Sequence, residues 1–343
     1  MIVFAVNVHT GGGAVLLEEL LTNETFGSPI THLFIDKRYR DENSVLEKKK
    51  QIVIKHVKPE LLPRLFAEIK LYHLILKSKA EIDTILFFGN LPPVFKFYFN
   101  ILFLTLYRQR KAPQFHLFMQ NALLFNKIDF DTRNIPYKLR FKLFIERWWL
   151  HIFYKNVDQI IIQNEWMKKH CLIDFPSRPS EIRPIPPFMP LSSDEIKALR
   201  EHSENVYKFI HVGSILKHKN LPLFIKALQN LDLTLNNKIK VAIVLDTNRD
   251  CIPDFIINTL TFKKIEIDLY CKIPRKEVYK LYSKSEYLVC TSSFESFYIP
   301  MYEANNFRCK VLAPIWAGYA ENLDFIHEYF DTEIPDLRKF IYT

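Results

Sequence analysis

The chain has 343 residues, enough for about two domains. With 48% apolar and 25% charged residues it is composed like a globular protein, which excludes a disordered tail, a collagen-like repeat and a disulfide-stapled miniprotein. The formal charge of +9 is uneven: the whole excess falls in residues 1–190, while residues 191–343 balance. A basic half beside a neutral half fits an anionic partner (membrane surface, nucleic acid or acidic substrate) or a plain lysine-rich solvated face.

The elements begin with Met1–Val8, a continuous apolar run that suits a strand buried on both faces of a parallel sheet. It is too short for the apolar core of a signal peptide and has no basic segment before it. Gly11-Gly12-Gly13 follows, in a chain with only seven glycines, and Ala14–Leu21 reads as a helix. Further strand-like runs are Thr31–Ile35, Gln51–Ile54, Thr84–Phe88, Gln114–Met119 and Gln159–Gln163, with helical patterns such as Pro63–Ser78 and Pro136–Phe153 between them. This alternation predicts βαβ units with right-handed crossovers. The longest apolar stretch, Val94–Leu106, contains Lys96 and Asn100 and falls short of a membrane span.

A proline cluster, Pro176, Pro179, Pro184, Pro186, Pro187 and Pro190, then interrupts the pattern and reads as a connection. The pattern restarts with strands at Phe209–Val212, Lys240–Leu245, Ile265–Tyr270, Tyr287–Thr291 and Val311–Pro314. Helices fall at Pro222–Asn230, Lys276–Ser283 and Pro300–Asn305. The expected organisation is therefore one doubly wound α/β domain over residues 1–185, a proline-rich linker over 186–200, and a second such domain over 201–343. The five cysteines are odd in number and show no CxxC spacing. They predict neither a zinc site nor a disulfide framework, and fit a reducing cytosol.

Three constellations carry possible chemistry. Gly11–Gly13, between the first strand and its helix, lets backbone approach an anion; a tight βα turn explains it equally well. The stretch from His211 through Gly213, Ser214, Lys217 and Lys219 to Asn220 places a glycine and two lysines after a strand. That suits a diphosphate, but the spacing is not that of a P-loop. In the third, Glu295 and Glu303 stand eight positions apart, with Ser296, Phe297, Tyr298 and Pro300 between them. Glu295 is placed after a strand's C-terminal end, where open α/β sheets bind ligands, and Glu303 about one turn into the following helix. Such carboxylates can accept hydrogen bonds from sugar and ribose hydroxyls; taken alone, they also fit a solvated loop acid and a helix-dipole partner.

In order and spacing these blocks resemble the donor-binding domain of retaining glycosyltransferases of the GT-B fold, family 4. His211–Asn220 is similar to the family's Gly-Arg-Leu-x-x-x-Lys-Gly loop, Glu295–Glu303 to its E-x7-E motif, and Ala313–Glu321 to its next strand and glycine loop. Gly11–Gly13 sits where the family has its glycine loop. The stretch from Val157 to Lys169 resembles its last strand and helix before the linker. The resemblance implies an α/β GT-B fold, two Rossmann-like doubly wound domains facing across a cleft. It further implies that Lys219 holds the donor diphosphate, with Gly213, Ser214 and Lys217 around it. Glu303 would bind the ribose, and Glu295 would stabilise the transferred sugar. Ser296, Phe297 and Tyr298 would offer backbone N–H groups to the leaving group, while Gly12, Gly13 and Asn121 would face the reaction centre from the first domain.

The implied activity is retaining transfer of a sugar from a UDP- or GDP-sugar to a glycan or lipid-linked acceptor in surface polysaccharide or lipopolysaccharide biosynthesis, with no metal and no cofactor. Ser214 stands where the family has a second cation, Asn220 where it often has Gly, and the chain ends soon after Glu321. These departures keep open a non-catalytic binding or scaffold subunit; a nucleotide-sugar epimerase is a third reading. Asp129-Phe130-Asp131 reads as solvated loop acids, and nucleic acid is not expected. Two basic, aromatic-rich segments, Val94–Lys111 and Lys138–Lys155, fit either core packing or the face of an anionic membrane, as in a cytoplasmic, membrane-peripheral protein.

Overall fold

The computed structural model describes residues 1–23, 26–41, 43–78, 81–107, 110–125, 137–201, 204–293, 295–314, 326–330 and 334–341. The Asp129–Asp131 motif, Phe294, Arg108 and the Ile315–Glu321 part of the last matching block lie outside them. The chain forms two compact units, the first carrying the described residues up to Phe188 and the second those from Met189 onward.

In the first unit, β1 (Ile2–Ala5), α1 (Gly11–Asn23), β2 (His32–Asp36), α2 (Val45–Lys48), β3 (Val53–Val57), α3 (Leu61–Lys77), β4 (Thr84–Phe88) and α4 (Lys96–Leu106) lead to β5 (Gln114–Phe118). Then follow α5 (Tyr137–Phe153), β6 (Gln159–Ile162), α6 (Glu165–Asp174) and β7 (Ser180–Ile182). All seven strands run parallel in the order β3-β2-β1-β4-β5-β6-β7. β1 is buried throughout, as its unbroken apolar run requires of a strand covered on both faces. Phe4 pairs in register with Phe34 on one side and Phe87 on the other. Its ring lies 5.5 and 5.1 Å from theirs, in the favoured range for aromatic contacts.

The second unit opens with α7 (Ser193–Glu201), where the sequence predicts a linker. Residues 183–192 are irregular, as the prolines demand. From Ser193, however, a capping box forms: Glu195 N–H donates to Ser192 Oγ and Ser192 N–H donates to a Glu195 carboxylate oxygen. Ile196 and Leu199 pack on the second unit's core, so this helix belongs to that unit. There follow β8 (Tyr207–Gly213), α8 (Leu221–Asp232), β9 (Ile239–Leu245), α9 (Asp254–Thr259) and β10 (Ile265–Cys271). After them come α10 (Arg275–Ser283), β11 (Ser285–Val289), α11 (Ile299–Asn306), β12 (Lys310–Pro314) and β13 (Ile326–Phe330). The sheet order is β10-β9-β8-β11-β12-β13, again all parallel. Ile210, Ala242 and Leu288 face one core cluster, while Phe209, Val241 and Tyr287 face the other. That alternation is the period-two signature of strands packed by helices on both sides.

In each unit the strand order reverses beside the first strand, between β1 and β4 and between β8 and β11. Such a switch point, at the strands' C-terminal ends, is where open α/β sheets bind ligands.

Candidate functional site

In the second unit the switch point collects the predicted residues. β8 ends at Gly213 and β11 at Val289, and the two strands are hydrogen-bonded neighbours. The loop after β8 turns through a short 3-10 segment, Lys217–Lys219, into α8. Asn220 makes that turn with φ of +53°, a left-handed conformation that asparagine and glycine tolerate best. This accounts for Asn at the position where the resemblance leads one to expect Gly. The loop is pinned to the one after β11: Ser293 N–H donates to His218 O (2.7 Å) and Thr291 Oγ1 to Lys219 O (3.1 Å).

This pinning delivers Lys219 to Glu295. Its Nζ donates to Glu295 Oε1 at 2.5 Å, although 76 residues separate them. Both side chains are largely shielded from water, which strengthens the pair. The ammonium also lies 5.0 Å from the centroid of the Tyr298 ring. Tyr298 is buried, and its hydroxyl donates to Val212 O, tying the E-x7-E segment to the end of β8. Burial lifts the Tyr298 phenol well above its ordinary pKa, and Cys290, Glu295 and Glu303 add to the rise.

Glu303 takes a different partner. It projects from α11, buried, and accepts from Arg275 Nε at 2.5 Å, with the Nη2 group also in contact. Tyr282 Oη donates to its other oxygen at 3.4 Å. Burial pushes the Glu303 carboxyl above the usual carboxylate range, while Arg275 and the tyrosine hydroxyls draw it back. Sequence reasoning missed Arg275. A signal for it was present: a cation at the first position of a helix opposes the dipole and needs an acidic partner elsewhere.

Gly213 has a steric reason. A Cβ there would lie 3.3 Å from His211 Nε2 and 3.9 Å from Lys219 Cβ. His211 is buried, shares a hydrogen bond through Nδ1 with Val289 O (3.1 Å) and stacks on Phe224. Burial lowers its pKa to about 4, and Lys219 contributes to the fall, so the ring is neutral at physiological pH. Of the remaining predicted residues, Ser214 Oγ accepts from Leu216 N–H, Lys217 is exposed, and Phe297 stacks on Tyr302 at 4.4 Å. Ser296 is half-buried in the same loop.

In the first unit the glycine run is not a loop before the helix; it is the first turn of α1, with Gly11 at φ of +64°. A Cβ on Gly13 would sit 2.6 Å from Gln120 Oε1, so the tip of the Gln120 side chain lies against the glycine. Asn90, after β4, accepts from the backbone N–H groups of Gln120 and Asn121 at 2.6 and 2.9 Å. Asn121 in turn uses its Oδ1 to cap Leu123 N–H at 3.0 Å, so that oxygen shapes the turn. Among the described residues no group of three or more His, Cys, Asp or Glu side chains could hold a metal ion.

These two parallel sheets, with the site at the second switch point, are those of the GT-B glycosyltransferase fold. Residues 192–321, a stretch that falls in the second unit, match the family model "Glycosyl transferases group 1". Among solved structures, the chain is similar to HepE from Anabaena in complex with UDP and glucose, at 13% identity and a TM-score of 0.61 over 98% of this chain and 88% of that one. It is similar also to WaaG, a glycosyltransferase involved in lipopolysaccharide biosynthesis, at 13% identity and a TM-score of 0.60, covering 93% and 82%. A third is the sucrose-phosphate synthase of Thermosynechococcus elongatus, at 12% identity and a TM-score of 0.59, covering 93% and 82%. No curated protein matches the chain.

Proposed function

We propose that the protein is a retaining glycosyltransferase that moves a sugar from a nucleoside-diphosphate donor, UDP- or GDP-linked, to a glycan or lipid-linked acceptor. The single observation behind this reading is the Lys219–Glu295 pair at the β8/β11 switch point. A leaving diphosphate is anionic, and a fixed ammonium aimed at it lowers the barrier. The sugar it leaves gains positive charge at its anomeric carbon, where a carboxylate is the stabilising group. Each side chain satisfies the other, and a donor inserted between them would take both as partners. Glu303 fits a ribose diol, with Arg275 holding its carboxylate in place. The likenesses to HepE in complex with UDP and glucose and to WaaG favour a UDP-sugar donor and a setting in surface-glycan assembly.

In this reading the protein's own cation carries the diphosphate, so chelators leave transfer intact. Screening UDP- and GDP-sugars for thermal stabilisation identifies the donor, since a ligand bound only by the native state raises the melting point. Nucleotide release with each acceptor, and the anomeric configuration of the product by NMR, then complete the test. A donor that binds with no turnover on any acceptor would favour a scaffold role; inversion of configuration would refute retention.

A further inference from the structure

We propose that the outer faces of α3, α4 and α5 form one surface that docks the first unit on an anionic lipid bilayer. This goes beyond the proposed transfer and does not depend on it, because none of these residues belongs to the donor site.

The inner faces of the three helices are fully occupied. Tyr72 of α3 stacks on Phe99 of α4 at 4.7 Å, and Trp149 of α5 donates to Pro92 O just before α4. Buried Arg64 lies between Phe4 of the sheet and Trp149. A second apolar stripe then points outward on each helix at helical spacing. On α3 it is Leu62, Phe66 and Ile69; on α4 it is Phe97, Ile101 and Leu104. On α5 it is Tyr137, Phe141, Phe144, Trp148 and Ile152, with Phe144 at 65% and Trp148 at 57% exposure. Packing on the sheet therefore does not explain these residues. So much apolar surface on neighbouring helices marks an interaction site.

Charge selects the occupant. Lys70, Lys77, Lys138, Arg140 and Lys142 are exposed on the same three helices. The only two acids of these helices are turned away from water: Glu68 is buried and Glu146 is 17% exposed, beside Lys142. An apolar, aromatic face fringed by cations, with no exposed carboxylate within its three helices, matches acyl chains beneath anionic headgroups. A second copy docked on this face would oppose cation to cation. With their inner faces held to the sheet, and with no helix among the described residues long and apolar enough to cross a membrane, these helices lie in the interface.

The test is flotation of the full chain with vesicles of pure phosphatidylcholine, and of equal parts phosphatidylcholine and phosphatidylglycerol. We expect flotation with the anionic vesicles only, weakened by salt. Lys138→Gln with Arg140→Gln should weaken it by roughly tenfold or more. Phe144→Asp with Trp148→Asp should abolish it, while the melting temperature and its shift on adding UDP stay at the values of the unaltered chain. Absence of flotation with either vesicle overturns the proposal, as does equal flotation with both. Concentration-dependent dimerisation, abolished by the Phe144/Trp148 changes and without vesicle binding, overturns it in favour of a second copy. Loss of donor binding with flotation intact would refute the donor site and leave this surface standing.

Discussion

Half-buried Arg275 and buried Glu303 form an ion pair that ties the start of α10 to α11, the helix that follows the loop carrying Glu295. Removing one member of such a pair leaves the other charge without a partner in a low-dielectric site. Arg275→Met is expected to cost about 3–5 kcal/mol of stability. The sign of the pH effect follows from the raised Glu303 pKa. Without Arg275 that pKa rises further, while the unfolded chain ionises at the ordinary value. The deficit is then largest at neutral pH and shrinks as acid protonates the carboxyl. Adding Glu303→Gln to Arg275→Met should recover most of the loss, as read by urea unfolding at several pH values. A double variant no more stable than the single one would show that the two residues act independently.

His211 gives a second pH signature. Its folded pKa of about 4 lies below the unfolded value, so the unfolded chain binds the proton first as pH falls. The stability tied to the neutral ring is complete above the unfolded histidine value. It is lost progressively between there and pH 4, up to about 3 kcal/mol. His211→Gln should flatten that part of the stability curve. An unchanged acid limb would mean that other groups dominate it.

The arrangement of strands was legible because the physics of a doubly covered parallel sheet writes itself as unbroken apolar runs: Thr84–Phe88 is the strand the sequence predicts, end for end. The Lys219–Glu295 pairing was legible only through motif order, since no local rule joins residues so distant. Other features were not. The helix Ser193–Glu201 hides inside a proline-rich stretch because its apolar face is short, with Ile196 and Leu199 its packed residues. The strand Ser180–Ile182 has only three residues, too few for a period to show. Arg275 left a local trace, a cation at a helix start, but its partner is a tertiary matter, set by how α10 packs on α11.

Glu68 is a fold-level hub with a measurable cost. One buried carboxylate accepts from Tyr72 Oη and from the backbone N–H groups of Val94 and Phe95, where the chain enters α4. Glu68→Leu keeps the apolar volume and strands those donors. It is expected to cost about 3 kcal/mol or more, at 1–3 kcal/mol for each of the three donors, with the half-buried N–H groups of Val94 and Phe95 at the low end. Hydrogen exchange should show the loss concentrated at the start of α4. Uniform loss of protection across the first unit would point to global unfolding instead.

Glu295 and Lys219 separate chemistry from stability. Glu295→Gln retains size and hydrogen-bonding capacity, so Lys219 keeps an acceptor in its shielded position and the fold should be affected little. Transfer should nevertheless fall by about 10²–10³, the scale for removing one fixed charge-stabilising group from a transition state. Lys219→Ala should instead weaken donor and nucleotide binding as well as turnover, because the ammonium meets the diphosphate in both ground and transition states. The discriminating measurement is kcat and KM for the donor in each variant beside the melting temperature. A Glu295→Gln enzyme with unchanged kcat would remove this carboxylate from the reaction. A Lys219→Ala variant that binds UDP as tightly as the unaltered chain would move the diphosphate elsewhere, and the glycosyl-transfer reading would lose its anchor.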